Sequence, residues 1–135
     1  LMQNKSETGH IRILLRRYMD QEKKWFEIKI SDDGAGISPA NIREKLNLSD
    51  HEELKNWNQI SDSEVLQFIF RPGFTTRSEV NEFSGRGVGM DAVKEEVVKL
   101  GGRIKVESTV GRGTEFIIQI PEVEIKVQNH LQKSA

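Results

Sequence analysis

Chemistry is concentrated in a few stretches of the 135-residue sequence. The densest is Ser84-Gly85-Arg86-Gly87-Val88-Gly89-Met90-Asp91, where alternating glycines give way to a helical run ending at Leu100. Glycine lets a ligand come close to the main chain. The first amides of a helix have no internal partner and lie at the positive end of its dipole. Together these features make a cradle for phosphate. Read alone, the stretch is equally a flexible loop before an ordinary helix.

A second stretch, Asp32-Asp33-Gly34-Ala35-Gly36-Ile37, closes an apolar alternation and precedes a helix. An aspartate held there can accept a hydrogen bond from an exocyclic amine, and the glycines let a flat ring approach the backbone. A tight acidic turn is the plainer account. Neighbouring carboxylates on a strand point to opposite sides, so Asp32 and Asp33 are not read as a metal site. The third stretch, Phe70-Arg71-Pro72-Gly73-Phe74-Thr75-Thr76, is either a hydrophobic hinge at the base of a lid or core. In the fourth, Gly113-Thr114-Glu115-Phe116, Thr114 could set its hydroxyl beside a base, or the segment is only a turn exit.

The elements that must position these residues follow from periodicity. Ile11 to Tyr18 and Trp25 to Ser31 alternate apolar and polar residues, with Asp20 to Lys24 as a charged link. An antiparallel hairpin with one buried face is expected: Ile11, Ile13 and Leu15 on one strand, Phe26, Ile28 and Ile30 on the other. Ser38 is a natural N-cap and Pro39 suits the first helical position, with Ile42 and Leu46 on one face. Ser49 to Glu52 and, more clearly, Ser61-Asp62-Ser63-Glu64 read as capping boxes, the latter opening Val65 to Phe70. Pro72-Gly73 should stop that helix. Phe74 to Gly89 reads as a long mobile loop of the kind that forms lids. A helix from about Val88 to Leu100 should present Val93, Val97 and Leu100, and Gly101-Gly102 should end it. Arg103 to Ser108 and Thr114 to Ile120 are strands around a turn at Val110 to Gly113, and Pro121 ends the sheet. Val123, Ile125 and Val127 could add an edge strand. The order predicts an α/β two-layer sandwich: a mixed, mainly antiparallel sheet with helices on one face.

Composition narrows the function. Apolar residues at 36% and charged residues at 30% are a globular balance. A net charge of −1 argues against a dedicated nucleic-acid binder. Arg71, Arg77, Arg86 and Arg112 still sit in loop-like segments where a local basic patch could form. There is no cysteine, which excludes disulfides and thiol catalysis. His10, His51 and His130 show no metal-ligand spacing. No apolar run approaches the ~18 residues a membrane span needs, and the start lacks a signal peptide's apolar core. The chain is therefore expected to be cytoplasmic and to make no membrane contact itself, although a parent protein could be membrane-anchored.

The order and spacing of the four stretches resemble the nucleotide-binding boxes of the GHKL (Bergerat-fold) ATPases, a family of histidine kinases, heat-shock chaperones, type II topoisomerases and mismatch-repair ATPases. The wording is most similar to the ATP-binding domain of CheA-type chemotaxis histidine kinases. It is carried by Asp32 to Ile37, Ile69 to Thr76, Ser84 to Lys94, Leu100-Gly101-Gly102 and Gly111 to Phe116, within roughly Thr8 to Pro121. The resemblance implies that Asp32 binds the adenine amino group, that Gly34, Gly36 and Ile37 shape the base pocket, and that Thr114 supports it directly or through water. Gly85, Gly87, Gly89 and Met90 would form the phosphate contact at the end of a lid, with Phe70, Phe74 and Arg86 in the lid and its hinge. It implies ATP with magnesium, and transfer of the γ-phosphoryl to a histidine on another domain or subunit, with a response regulator as a further partner. The resemblance identifies no catalytic base in this chain.

The family's first box, a helix whose asparagine holds magnesium, should precede the first strand. Only Leu1 to Thr8 precede it here, and Asn4 has no helical context. On that ground the isolated chain is expected to be inactive or weakly nucleotide-binding, and an uncovered apolar strip is expected to favour a homodimer. The alternatives are a non-catalytic nucleotide-binding or interaction module on the same fold, or another GHKL ATPase. The division expected is a loose segment 1–9, an ATP-binding domain 10–121 and a tail 122–135.

Overall fold

The computed structural model describes residues 8–48, 59–74 and 89–124. Its frame is a sheet of β1 (Ile11–Asp20), β2 (Lys23–Asp32), β3 (Arg103–Thr109) and β4 (Gly113–Pro121). The spatial order is β1-β2-β4-β3, and every neighbouring pair is antiparallel. Helix α1 (Pro39–Leu48), helix α2 (Asp62–Leu66) continued by a 3₁₀ turn (Gln67–Phe70), and helix α3 (Met90–Lys99) complete the described elements. This is the α/β sandwich expected from the sequence.

The first hairpin is longer than the charge pattern suggests. Pairing continues to Asp20↔Lys23. Gln21 and Glu22 alone make the turn, with φ of 47° and 65°. A two-residue turn with positive φ at both positions matches the twist of paired strands, so residues that look like a linker by charge are strand by geometry.

The core lies between the helices and the β3–β4 half of the sheet. Ile42 and Leu46 of α1, Val65 to Phe70 around α2, and Val106 of β3 form one buried cluster, with Ile37, Phe74, Met90, Ile104 and Phe116 packed around it. The Phe70 and Phe116 rings meet edge to face at 6.3 Å. Gln67 fixes the 3₁₀ turn to the sheet. Its amide nitrogen donates to the Val106 carbonyl at 2.9 Å, and its oxygen accepts from the Val106 N–H at 3.1 Å. One side chain thus satisfies both backbone groups of a residue on a strand edge.

Helix ends follow the sequence signals. Ser61 caps α2 by accepting from the Glu64 N–H, while the Glu64 carboxylate accepts from the Ser61 N–H, a complete capping box. Helix α3 ends in a Schellman motif: the Gly101 N–H bonds Val98 O and the Gly102 N–H bonds Val97 O, with Gly101 at φ +77°. The capping box read at Ser49 to Glu52 lies outside the described residues.

Several burial expectations are corrected. Ile11, Ile13 and Leu15 share the face that carries the core, but they are 75%, 69% and 63% exposed. Alternation shows which side chains share a face; it does not show whether anything covers it, and the helices pack over β3 and β4. Leu100 is 55% exposed because it is the C-cap of α3 and turns off the apolar face kept by Val97. Glu27, expected to face solvent, is 3% exposed. It lies in a polar row across all four strands, Arg16–Glu27–Gln119–Arg103, set by strand register. Arg16 Nε donates to Glu27 at 2.6 Å and Gln119 Nε2 at 2.7 Å, and Arg103 donates to Gln119. The guanidinium of Arg16 and the amide of Gln119 hold the Glu27 carboxyl below the usual carboxylate range, against the opposing effect of burial. Val123 is exposed and lies beyond the last strand; the remainder of that expected edge strand lies outside the described residues.

Candidate functional site

The acidic glycine turn leaves β2 at its end, where antiparallel register sets Asp32 opposite Thr114 of β4, and Thr114 opposite Ser108 of β3. Side chains at paired positions point to the same side of a sheet. Asp32, Thr114 and Ser108 therefore form one polar row at the end of the apolar face. Asp32 is exposed and Thr114 is buried.

The turn is held by its own hydrogen bonds. Asp32 Oδ1 accepts from the Gly34 N–H at 2.7 Å, which closes the turn and leaves Oδ2 for another partner. Asp33 is tied to the start of β1. Its carboxylate accepts from the His10 N–H at 2.9 Å and contacts His10 Nδ1 at 3.0 Å. The backbone hydrogen bond from His10, then the one from its ring, holds the Asp33 carboxyl below its ordinary value. Adjacent carboxylates thus have different work, as the strand alternation implies.

Two glycines make the site compact. Gly36 has φ +78°, and a Cβ there would lie 2.4 Å from Thr109 O. Ala35 O accepts from the Gly111 N–H at 2.7 Å, so the acidic turn is clamped to the β3–β4 turn. Gly113 has φ +111°, and a Cβ there would lie 1.9 Å from Asp32 O. Both positions need glycine on conformational and steric grounds.

Ser108 carries no signal in its residue type. Its Oγ accepts from the Ile37 N–H at 2.8 Å, donates to Gly113 O at 2.9 Å, and lies 3.0 Å from Thr114 Oγ1. It joins the acidic turn, the β3–β4 turn and Thr114. Counting register outward from that turn is the one sequence signal that could have found it. Two concavities adjoin the row. One, about 200 Å³, is lined by Gly36, Ile37, Ser38, Asn41, Ile42 and Lys45. The other, about 250 Å³, is an open hollow at the sheet end whose wall includes Asp32, Ser108, Arg112 and Thr114 together with Ser31, Glu107 and Glu115 of the opposite face.

The remaining expected residues fall into separate groups. Gly89 is the N-cap of α3 and makes no side-chain capping bond; Met90 is the first helical residue and packs on the core. Phe70 is 4% exposed within the core, and Phe74 is partly buried beside it with Lys45 Nζ 5.9 Å from its ring centroid. Gly85, Arg86 and Gly87, with the rest of the expected lid at 75–88, lie outside the described residues. Of the arginines in loop-like segments, Arg71 lies over the Phe68 ring at 4.4 Å and Arg112 lines the larger concavity. Arg77 also lies outside the described residues.

The described residues build no all-protein cage for magnesium. Among them, no three carboxylate or imidazole side chains converge on one point, and Asp33 is engaged by His10. A planar amine-bearing ring fits better: a free carboxylate oxygen, a buried hydroxyl and glycine backbone meet at one sheet end. No helix among the described residues is long and apolar enough to cross a membrane.

Comparison with known proteins agrees with this arrangement. Residues 1–124 match the family described as "Histidine kinase-, DNA gyrase B-, and HSP90-like ATPase". The chain is 43% identical over 130 residues to "Chemotaxis protein CheA" of Borreliella burgdorferi, covering 96% of this chain and 14% of that protein. It is 42% identical over 118 residues to "Sensor histidine kinase CheAY" of Helicobacter pylori, covering 87% and 14%. It is also 42% identical over 117 residues to "Gliding motility regulatory protein" of Myxococcus xanthus, covering 84% and 14%. The chain thus spans about one seventh of the length of these relatives. On both the fold and these matches, the chain belongs to the family of histidine kinase-, DNA gyrase B- and HSP90-like ATPases.

Proposed function

We propose that this chain is the ATP-binding part of a two-component histidine kinase of the chemotaxis type, with 10–121 as the nucleotide-binding domain between short flanking segments 1–9 and 122–135. The observation that carries the reading is the register pairing of Asp32 with Thr114 beside a glycine turn locked against the β3–β4 turn. Asp32 accepts from the adenine amino group. Gly34, Gly36 and Ile37 shape the pocket floor, and Thr114 supports the base. Gly89 and Met90 open α3, whose first amides lack a side-chain cap and can face phosphate. Gly85 and Gly87 continue that contact, and Phe70, Phe74 and Arg86 serve the lid and its hinge.

In the parent protein the γ-phosphoryl moves to a histidine of another domain or subunit. The bond from phosphorus to the β,γ-bridging oxygen breaks and its electrons remain on ADP; the phosphorus–nitrogen bond forms from the lone pair of the unprotonated imidazole nitrogen, and the proton on the other ring nitrogen is released to solvent. Such transfer depends mainly on positioning and charge stabilisation. Magnesium accompanies the nucleotide, and a response regulator takes the phosphoryl group onward in the cytoplasm. The exposed Ile11, Ile13 and Leu15 strip supports self-association of the isolated chain.

Calorimetry with ADP, with and without magnesium, tests the assignment. ADP binding is expected, and Asp32→Asn should remove most of it. Equal affinity of wild type and variant would overturn the adenine role.

A further inference from the structure

Hydrogen-bond counting around Ser108 favours one polarity for the base pocket, the one in which its proton goes to the nearer acceptor, Gly113 O. The Ile37 N–H can only donate and Gly113 O can only accept, so the Ser108 hydroxyl accepts from the first at 2.8 Å and donates to the second at 2.9 Å. A serine hydroxyl has one proton and two acceptor lone pairs. Its proton is spent on Gly113. The 3.0 Å contact with Thr114 Oγ1 is then a hydrogen bond only if Thr114 donates. The Thr114 proton is thereby turned away from the pocket, and Thr114 Oγ1 is left with lone pairs alone. Its register neighbour Asp32 also presents a lone-pair oxygen. Two acceptors side by side suit an amino group and oppose a carbonyl.

We propose that Ser108 is a specificity-determining positioning residue: by taking the Thr114 proton it makes the pocket select a 6-amino purine over a 6-oxo purine. This rests on the adenine-nucleotide reading of the site. Ser108 does not touch the base; it acts through Thr114. Without its oxygen, the Thr114 hydroxyl can rotate and donate its proton into the pocket, where a 6-oxo group accepts it.

The test compares ADP with inosine diphosphate, which replaces the 6-amino group by a 6-oxo group. Calorimetric affinities are measured for the wild-type chain, Ser108→Ala, Ser108→Thr and Thr114→Val. Wild type should prefer ADP. Ser108→Ala should lower the ADP-to-IDP affinity ratio at least tenfold, the scale of one net hydrogen bond, through weaker ADP and stronger IDP binding. Ser108→Thr keeps the hydroxyl and should restore the ratio. Thr114→Val removes the second acceptor with its shape retained, so it reads the same polarity from the other end and should also lower the preference, to the part that Asp32 alone supplies. If Ser108→Ala fails to fold, the Thr114→Val ratio decides.

Equal loss of both ligands in Ser108→Ala, with the ratio unchanged, would mean a merely structural role and overturn the proposal. So would an unchanged ratio in Thr114→Val. The broader reading fails differently: if Asp32→Asn binds ADP like wild type, or wild type binds no ADP, the adenine site itself is wrong and the role of Ser108 falls with it.

Discussion

Gly111 lies in the β3–β4 turn and Gly113 two residues on, at the start of β4; both have positive φ, yet the structure assigns them different costs on substitution. Gly111 has φ +80° and nothing within 4 Å of where an added Cβ would lie; Gly113 has φ +111° and a would-be Cβ 1.9 Å from Asp32 O and 2.8 Å from Asp32 C. Gly111→Ala meets only the backbone preference, about 1–2 kcal/mol, offset by about 0.4–1 kcal/mol from the stiffer unfolded chain. A net loss near 1 kcal/mol is expected. Gly113→Ala carries the same backbone term and must also separate β4 from the end of β2. The obstacle is main chain, which cannot turn aside like a side chain. Forced overpacking adds about 1–3 kcal/mol or more, so a total loss of about 3 kcal/mol is expected. The displaced strand end bears Asp32, so nucleotide affinity should fall with it. Urea unfolding followed by circular dichroism gives both stabilities, and an unchanged denaturant slope shows that the comparison is between like transitions. Stability losses within about 0.5 kcal/mol of each other would refute the steric reasoning, because only the backbone term would then be operating.

Other outcomes follow from the same geometry. The Glu27 carboxyl titrates below its unfolded value, so its stabilisation is complete above the unfolded pKa and is lost as pH falls through the lower folded value. Wild type should exceed Glu27→Gln in urea stability at neutral pH and converge with it in acid; a gap constant with pH would count against this. Phe70→Ala empties a core position that faces Phe116 and should cost about 3–5 kcal/mol, read from the shift in the urea midpoint. Ile13→Lys, on the exposed strip, should reduce self-association in light scattering at high concentration with little change in stability. A wild-type chain that stays strictly monomeric there would remove the basis for that expectation.

The local devices were legible in the sequence because they depend on near neighbours. Ser61 and Glu64 specify their capping box through three-residue spacing, and Gly101-Gly102 specifies the end of α3. Apolar alternation set the faces of the first two strands. Asp32, Gly36 and Thr114 stood out as candidates because their residue types are restrictive and their order in the chain is informative, and the register brings Asp32 and Thr114 together. What alternation could not supply was depth. Ile11, Ile13 and Leu15 have the pattern of a buried face and are exposed, since burial depends on where α1, α2 and α3 pack. Glu27 has the pattern of a solvent face and is buried, since Arg16 and Gln119 enclose it across strand boundaries.

By itself, then, the sequence determined the strands, the caps, the glycine turns and the chemical types at the site. Tertiary structure alone decided which of them meet. Ser108 is an ordinary serine until the β3–β4 register puts its hydroxyl beside Thr114 and the acidic turn brings the Ile37 N–H to it. The physical reason is that a hydrogen bond needs its partners within about 3 Å. For Ser108 and Ile37, 71 residues apart in the chain, only the fold sets that distance.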